Sequence, residues 1–111
     1  MGQHAPLELL PGTLDLLILR ALVRGKMHGY GIANMLKVTS EDVLDVGESS
    51  LYPALQRLLL NGWVTAEWGA SENNRRARYY TLTSAGRKQL VAERADFERM
   101  VDAIQQVLRT T

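Results

Sequence analysis

Apolar residues near the beginning of the chain recur every three or four positions, which is the period of a helix with one buried face. The residues that set this period are Leu14, Leu17, Ile18, Ala21 and Leu22. Further apolar residues fill the opposite side, so we expect this first helix to be buried, in part against another subunit. Pro11-Gly12-Thr13 predicts its start, with Thr13 as the N-cap, and Gly25 predicts its end.

A second helix is predicted over the segment YGIANMLKVT, residues 30–39, where apolar side chains again follow helical spacing. The next segment, SEDVLDVG, is short and polar. Its three apolar residues, Val43, Leu44 and Val46, predict a brief strand. His28 stands just before the second helix, and we interpret it as a structural residue rather than a ligand-binding one.

The segment GESSLYPALQRLLLNGWV predicts a third helix from Ser49 to Asn61, with leucines on one side and polar groups on the other. The buried stripe consists of Leu51, Leu55, Leu58 and Leu59. Ser49 or Ser50 can cap the helix, because a hydroxyl accepts a hydrogen bond from a free N–H of the first turn. Asn61-Gly62 predicts a left-handed C-cap, after which Trp63 is expected to pack into the core.

Two segments rich in strand-forming residues, VTAEW and ARYYTLT, predict a β-hairpin, and the polar GASENNR between them predicts a long loop. Thr83 is expected to cap a last helix that runs to about Arg109. Apolar residues at heptad spacing form a stripe along it, widened by Met100: Leu90, Phe97, Val101, Ile104 and Leu108. The chain offers no further element to cover this stripe, so we expect a second copy of the chain to cover it.

Three helices followed by a hairpin predict a winged helix-turn-helix, a mainly α fold with a small β-hairpin and a long C-terminal dimerisation helix. Residues 1–83 are assigned to the DNA-binding domain and residues 84–111 to the dimerisation helix. In such folds the second helix of the motif enters the major groove. The residues predicted to contact DNA are Ser49, Ser50, Tyr52, Pro53, Gln56, Arg57, Arg75, Arg76 and Arg78. The residues predicted at the dimer interface are Leu14, Leu17, Leu90, Phe97, Met100, Val101, Ile104 and Leu108.

The residue types on the outward side of the third helix suit duplex DNA, since hydroxyls bond phosphate oxygens and Gln and Arg reach base edges. Simpler interpretations stay open: Tyr52 could pack at the helix start, and Gln56 and Arg57 could be solvated polar residues. The wing arginines could form a solvated charge run, and strand alternation could turn Arg78 aside. The role of Trp68 stays open, because it could pack against the fold or form part of an aromatic ligand site. The rival for the whole chain is a winged-helix protein-interaction module, against which the basic wing argues.

Composition and charge exclude several classes of function. The chain has 111 residues, no cysteine and a net charge of +1, which suits one domain without disulfides or thiolate metal sites. The near-neutral total hides a basic segment made of Arg75, Arg76, Arg78, Arg87 and Lys88. No catalytic constellation, phosphate loop or metal motif is visible, so we expect no enzyme activity, cofactor or metal. Because no membrane span or secretory signal is visible, we expect a cytoplasmic protein.

The order and spacing of four segments resemble the PadR-type transcriptional regulators over nearly the whole chain. GTLDLLILRAL is similar to the family's first helix, HGYGIANML to its second, SLYPALQRLLLNGWV to its recognition helix, and RYYTLTSAGRKQL to the second wing strand and final helix start. The resemblance implies a homodimeric bacterial repressor, dimerised by its C-terminal helices on an operator with two-fold symmetry. It also implies a small aromatic effector as a candidate partner. Ser49-Ser50 departs mildly from the family, where many members carry Gly or Thr.

Overall fold

The computed structural model describes residues 9–10 and 12–110, so Pro11 lies outside the described residues. Four helices and three short strands make up this part of the chain. Their bounds are α1 Thr13–Ala21, β1 Met27–His28, α2 Gly29–Thr39, α3 Glu48–Leu60, β2 Val64–Ala70, β3 Arg76–Leu82 and α4 Ser84–Arg109. A 3-10 turn, Leu22–Arg24, extends α1 up to Gly25, where its end was predicted.

Two of the predicted helix caps are wrong. Thr13 is already inside α1, and the N-cap is Gly12, whose φ of 88° lies in the left-handed region that glycine adopts without strain. Neither Ser49 nor Ser50 caps α3, because the helix starts one residue earlier at Glu48, with Gly47 as the N-cap. The carboxylate of Glu48 compensates in part, since a negative charge in the first turn is stabilised by the helix dipole.

The predicted strand at Val43, Leu44 and Val46 is wrong, and the real third strand lies elsewhere. Glu41 and Asp42 adopt positive φ values of 53° and 69°, so the chain turns after α2 and forms a loop instead of a strand. β1 supplies the third strand, because Met27 and His28 pair with Tyr80 and Tyr79 of β3. The hairpin expected from the sequence is therefore part of a three-stranded antiparallel sheet in the order β1-β3-β2.

Other predicted boundaries are confirmed. Gly62 takes the left-handed conformation (φ 75°) after α3, and the Trp63 N–H donates to the Leu58 carbonyl at 3.0 Å, which completes a Schellman motif. Trp63 packs against the core as expected. The Thr83 hydroxyl caps α4 by accepting a hydrogen bond from the Gly86 N–H at 3.0 Å.

The core lies where α1, α2 and α3 meet the base of the hairpin. Its most completely buried side chains are Ile18, Leu19, Leu22, Ile32, Leu55, Leu58 and Val64. α4 contacts α1 and packs Leu90 against the core, and most of its residues beyond Leu90 are exposed. The fold is therefore the predicted winged helix-turn-helix, mainly α, with α4 as a long projecting helix.

Candidate nucleic-acid interface

The α3 helix divides sharply into a buried and an exposed side. Leu51, Leu55 and Leu58 are each at most 2 % exposed, and Ala54 joins them in the core. The opposite side is exposed and carries Ser49, Ser50, Tyr52, Pro53, Gln56 and Arg57. Leu59, the fourth leucine of the predicted stripe, is only partly buried. The leucine side is thus hidden as predicted except at Leu59, and the exposed side faces outward; DNA contact by that side stays a prediction.

Tyr52 is half exposed and also packed at the helix start, and its contact with DNA stays a prediction. A Cβ placed on Gly29 would lie 3.2 Å from the Tyr52 hydroxyl oxygen, which means that the tyrosine lies directly against the first turn of α2. The side chain keeps 48 % of its surface exposed. Gly29 therefore allows Tyr52 to be held in place at the edge of the exposed side of α3.

Arg57 has a protein partner that the sequence did not reveal. Its Nη2 donates to Asp15 Oδ1 at 2.7 Å and its Nε donates to Asp15 Oδ2 at 3.3 Å, although the two residues lie 42 positions apart. The hydrogen bond to Asp15 raises the pKa of Arg57 above its usual value. In this arrangement the guanidinium that was predicted to contact DNA is bound to α1.

The wing carries two of its arginines, Arg76 and Arg78, on one face of the hairpin. Residues directly opposite each other in an antiparallel pair share a face, and the register pairs Trp68 with Arg78 and Ala66 with Tyr80. Arg76, two residues before Arg78, lies on that face as well. Strand alternation therefore keeps Arg76 and Arg78 together, and Arg75 lies in the exposed loop at the wing tip.

Aromatic rings hold both strand arginines. The guanidinium carbon of Arg76 lies 4.4 Å from the centre of the Trp68 ring, and that of Arg78 lies 5.9 Å from the centre of the Tyr80 ring. These are cation–π distances, at which the ring face attracts the cation. Burial raises the pKa of the Tyr80 phenol, so this ring stays neutral beneath Arg78.

An open cleft of about 500 Å³ separates the wing from the Tyr52 edge of α3. Its aromatic and basic lining consists of His28, Tyr30, Tyr52, Trp68, Arg76, Arg78 and Tyr80. Four of these were not predicted as site residues: the sequence leaves the role of Trp68 open, indicates a structural role for His28, and does not single out Tyr30 and Tyr80. Tyr30 belongs to α2 and is 76 % exposed. His28 has a structural role, as expected, because its Nδ1 accepts a hydrogen bond from the Gly31 N–H at 2.9 Å and so caps α2.

The predicted interface residues of α4 form an uncovered apolar stripe. Phe97, Met100, Ile104 and Leu108 are exposed, while Leu90 and Val101 are partly buried. Leu14 is corrected here: it is only 6 % exposed and belongs to the core of its own chain, so it offers almost no surface to a partner. Leu17 is half-buried against the same core.

Two further features of the described residues concern other classes of function. Within residues 9–10 and 12–110, no three His, Asp or Glu side chains are grouped so that they could hold a metal ion. None of the helices in that same part of the chain combines the length and apolar character that crossing a membrane requires.

A helix-turn-helix with a basic wing beside its second helix defines a winged-helix protein, and comparisons with known proteins agree with this fold. The model of the PadR-like family of transcriptional regulators matches residues 18–92. A transcriptional regulator from Clostridium thermocellum is 28 % identical, with a TM-score of 0.78 over 86 % of this chain and 92 % of that one. A PadR family transcriptional regulator from Eggerthella lenta is 27 % identical, with a TM-score of 0.77, and the match covers 90 % of this chain and 85 % of that one.

An uncharacterized protein from Lysinibacillus sphaericus is 28 % identical over 98 residues, which cover 86 % of this chain and 90 % of that protein. Since the family model spans well over half of the chain, this chain belongs to the PadR-like family of transcriptional regulators.

Proposed function

We propose that this regulator binds duplex DNA as a homodimer and represses transcription from the operator that it occupies in the cytoplasm. One observation chiefly supports this proposal. The side of α3 opposite its buried leucines is exposed and polar, and it stands beside a wing face that carries Arg76 and Arg78. A protruding polar helix flanked by fixed positive charge has the shape and the charge that the major groove and its phosphates require.

Each exposed group has a role that its chemistry suggests. The Gln56 amide can pair with the N6 and N7 edge of an adenine, and the hydroxyls of Ser49, Ser50 and Tyr52 can donate to phosphate oxygens. Pro53 lies between these groups and offers a small apolar contact to the groove. Arg75, Arg76 and Arg78 would neutralise phosphates beside the major groove or enter the adjacent minor groove.

The α4 stripe supports the homodimer. Phe97, Met100 and Ile104 expose 42–63 % of their surface along one side of a helix that projects from the core. Covering this side with the same helix of a second copy removes the apolar surface from water and forms a two-fold interface. The two α3 helices would then meet half-sites about one helical turn apart, or a multiple of that spacing.

Salt-dependent binding distinguishes this proposal from a winged-helix module that binds only proteins. Fluorescence anisotropy with operator-like duplexes at two salt concentrations should show affinity that falls steeply with salt, because bound cations release counterions from DNA. The plot of log K against log salt has a negative slope, and Arg76→Ala should make this slope less steep by roughly 1.8, which is ~0.9 for each of two protomers. Arg99→Ala is the matched control, since Arg99 is exposed on the side of α4 away from the stripe. Affinity that does not change with salt would favour the protein-interaction module.

The cleft between the wing and α3 is the binding site that we propose for a small aromatic effector. Trp68 is 58 % exposed there, beside two arginines that would also meet phosphates. A planar aromatic acid bound to Trp68 would therefore compete with DNA. In the same titration, such an acid should release the duplex from the wild-type protein and not from Trp68→Ala. Equal release from both proteins would place the effector elsewhere.

A further inference from the structure

The Asp15–Arg57 ion pair connects the last turn of α3 to the first turn of α1. The Nη2 and Nε groups of Arg57 each donate to a different oxygen of the Asp15 carboxylate. This is the bidentate arrangement that arginine forms with carboxylates. The Asp15 side chain is only 13 % exposed, while that of Arg57 is 52 % exposed. The pair thus sits at the rim of the core, on the boundary between the buried and outward sides of α3.

We propose that Arg57 is a positioning residue, whose bond to Asp15 fixes the rotation of α3 so that its outward face meets DNA correctly. This inference rests on the proposed function, because it concerns how the same helix binds DNA. It replaces the expectation that Arg57 itself contacts DNA, since the guanidinium is already bound to a largely buried carboxylate.

The geometry of α3 explains why such a bond is needed. The leucines that hold α3 in the core are apolar, and apolar burial is non-directional, so it constrains rotation of a helix only through shape. Two contacts flank the outward face of α3, and the one between Arg57 and Asp15 is directional because it consists of two hydrogen bonds. Tyr52 lies against Gly29 on one edge, and Arg57 is bound to Asp15 on the other, about 140° further around the helix. Ser49, Pro53 and Gln56 lie between these two fixed edges.

The alternative is that Arg57 leaves Asp15 and neutralises a phosphate when DNA binds. The two roles predict opposite effects of Asp15→Asn. If Arg57 contacts DNA, removing the Asp15 charge frees the arginine and removes a repulsive charge, so binding becomes tighter. If Arg57 positions α3, the same change loosens the helix, so binding becomes weaker.

The test measures duplex affinity at two salt concentrations for wild type, Asp15→Asn, Arg57→Ala, Arg57→Lys and the Asp15→Asn/Arg57→Ala double variant. We expect Arg57→Ala to weaken binding about tenfold, or ~1.4 kcal/mol, and Asp15→Asn to weaken it several-fold with the same salt slope as wild type. The double variant should bind no more weakly than Arg57→Ala, because both changes remove one bond. Arg57→Lys should not restore wild-type affinity, since an ammonium lacks the planar fork. Arg20→Ala, an exposed residue of α1, is the control for loss of one positive charge.

Three results would overturn the inference. The first is a salt dependence that becomes less steep by roughly 0.9 per protomer in Arg57→Ala, together with wild-type affinity of Arg57→Lys, because both would show that Arg57 neutralises a phosphate. The second is tighter binding by Asp15→Asn. The third is that Asp15→Asn and Arg57→Ala melt at a lower temperature than wild type but bind DNA with unchanged affinity at a temperature where they are folded. That result would show that the ion pair contributes to stability alone. Absence of salt-dependent binding by the wild type itself would instead contradict the proposed function.

Discussion

Replacing Val101 with aspartate is expected to convert the proposed homodimer into monomers. Val101 lies at the centre of the α4 stripe, between Phe97 and Ile104, and it is already partly buried within one chain. In a two-fold interface built on this stripe, each copy would place a new carboxylate among apolar groups, near the carboxylate of its partner. Burying an unpaired charge costs several kcal/mol, so the dissociation constant should rise by a factor of at least ~100.

Sedimentation velocity measures this change directly. The matched control is Gln106→Asp, which introduces the same charge on the opposite side of α4, five residues further along. The control should sediment as the wild-type dimer, whereas Val101→Asp should sediment as a monomer. If Val101→Asp sediments as a dimer, the stripe is not the dimer interface.

Gly86→Ala is expected to destabilise the fold, although alanine favours a helix over glycine by ~1 kcal/mol. A Cβ at this position would overlap the carbonyl oxygen of Trp63 and would lie 2.7 Å from Leu82 Cδ1. The carbonyl is backbone and cannot rotate away, since it accepts a hydrogen bond from the Thr83 N–H at 3.0 Å. The first turn of α4 must therefore shift away from the end of α3, and the free energy of unfolding should fall by ~2–3 kcal/mol.

Urea denaturation measures this loss. Gly47→Ala is the matched control, because a Cβ there meets no atom within 4 Å. At this N-cap position the substitution should cost at most ~1 kcal/mol. A Gly86→Ala variant as stable as wild type would mean that α4 does not pack against the Trp63 backbone as described.

The sequence predicted the parts of the fold that depend on local periodicity. The leucine spacing in α3 determined which side of the helix is buried, because side chains three or four apart share a face. The signals at Gly62 and Thr83 were equally local, since each ends or starts a helix through its own conformation or hydroxyl. The caps at Gly12 and Gly47 were missed because a neighbouring Ser or Thr is the stronger capping signal in a sequence.

Contacts between distant segments could not be predicted in this way. β1 has only two residues, Met27 and His28, and it is a strand only because β3 lies beside it. The Asp15–Arg57 pair joins residues 42 positions apart, and neither residue type indicates the other in the sequence. The cleft around Trp68 likewise requires the wing to fold beside α2 and α3 before its aromatic residues come together. The site was therefore predicted as a list of candidates, and its arrangement comes from the fold.

Selection of bound duplexes from a random pool tests most directly whether the outward face of α3 enters a DNA groove. The wild-type protein should enrich a motif with two-fold symmetry, whose half-sites are separated by about one helical turn or a multiple of it. Gln56→Ala should relax the preference at one base pair of each half-site and leave the spacing unchanged. A pool that shows no enriched motif after repeated rounds, or a motif that Gln56→Ala and Tyr52→Ala leave unaltered, would contradict this account.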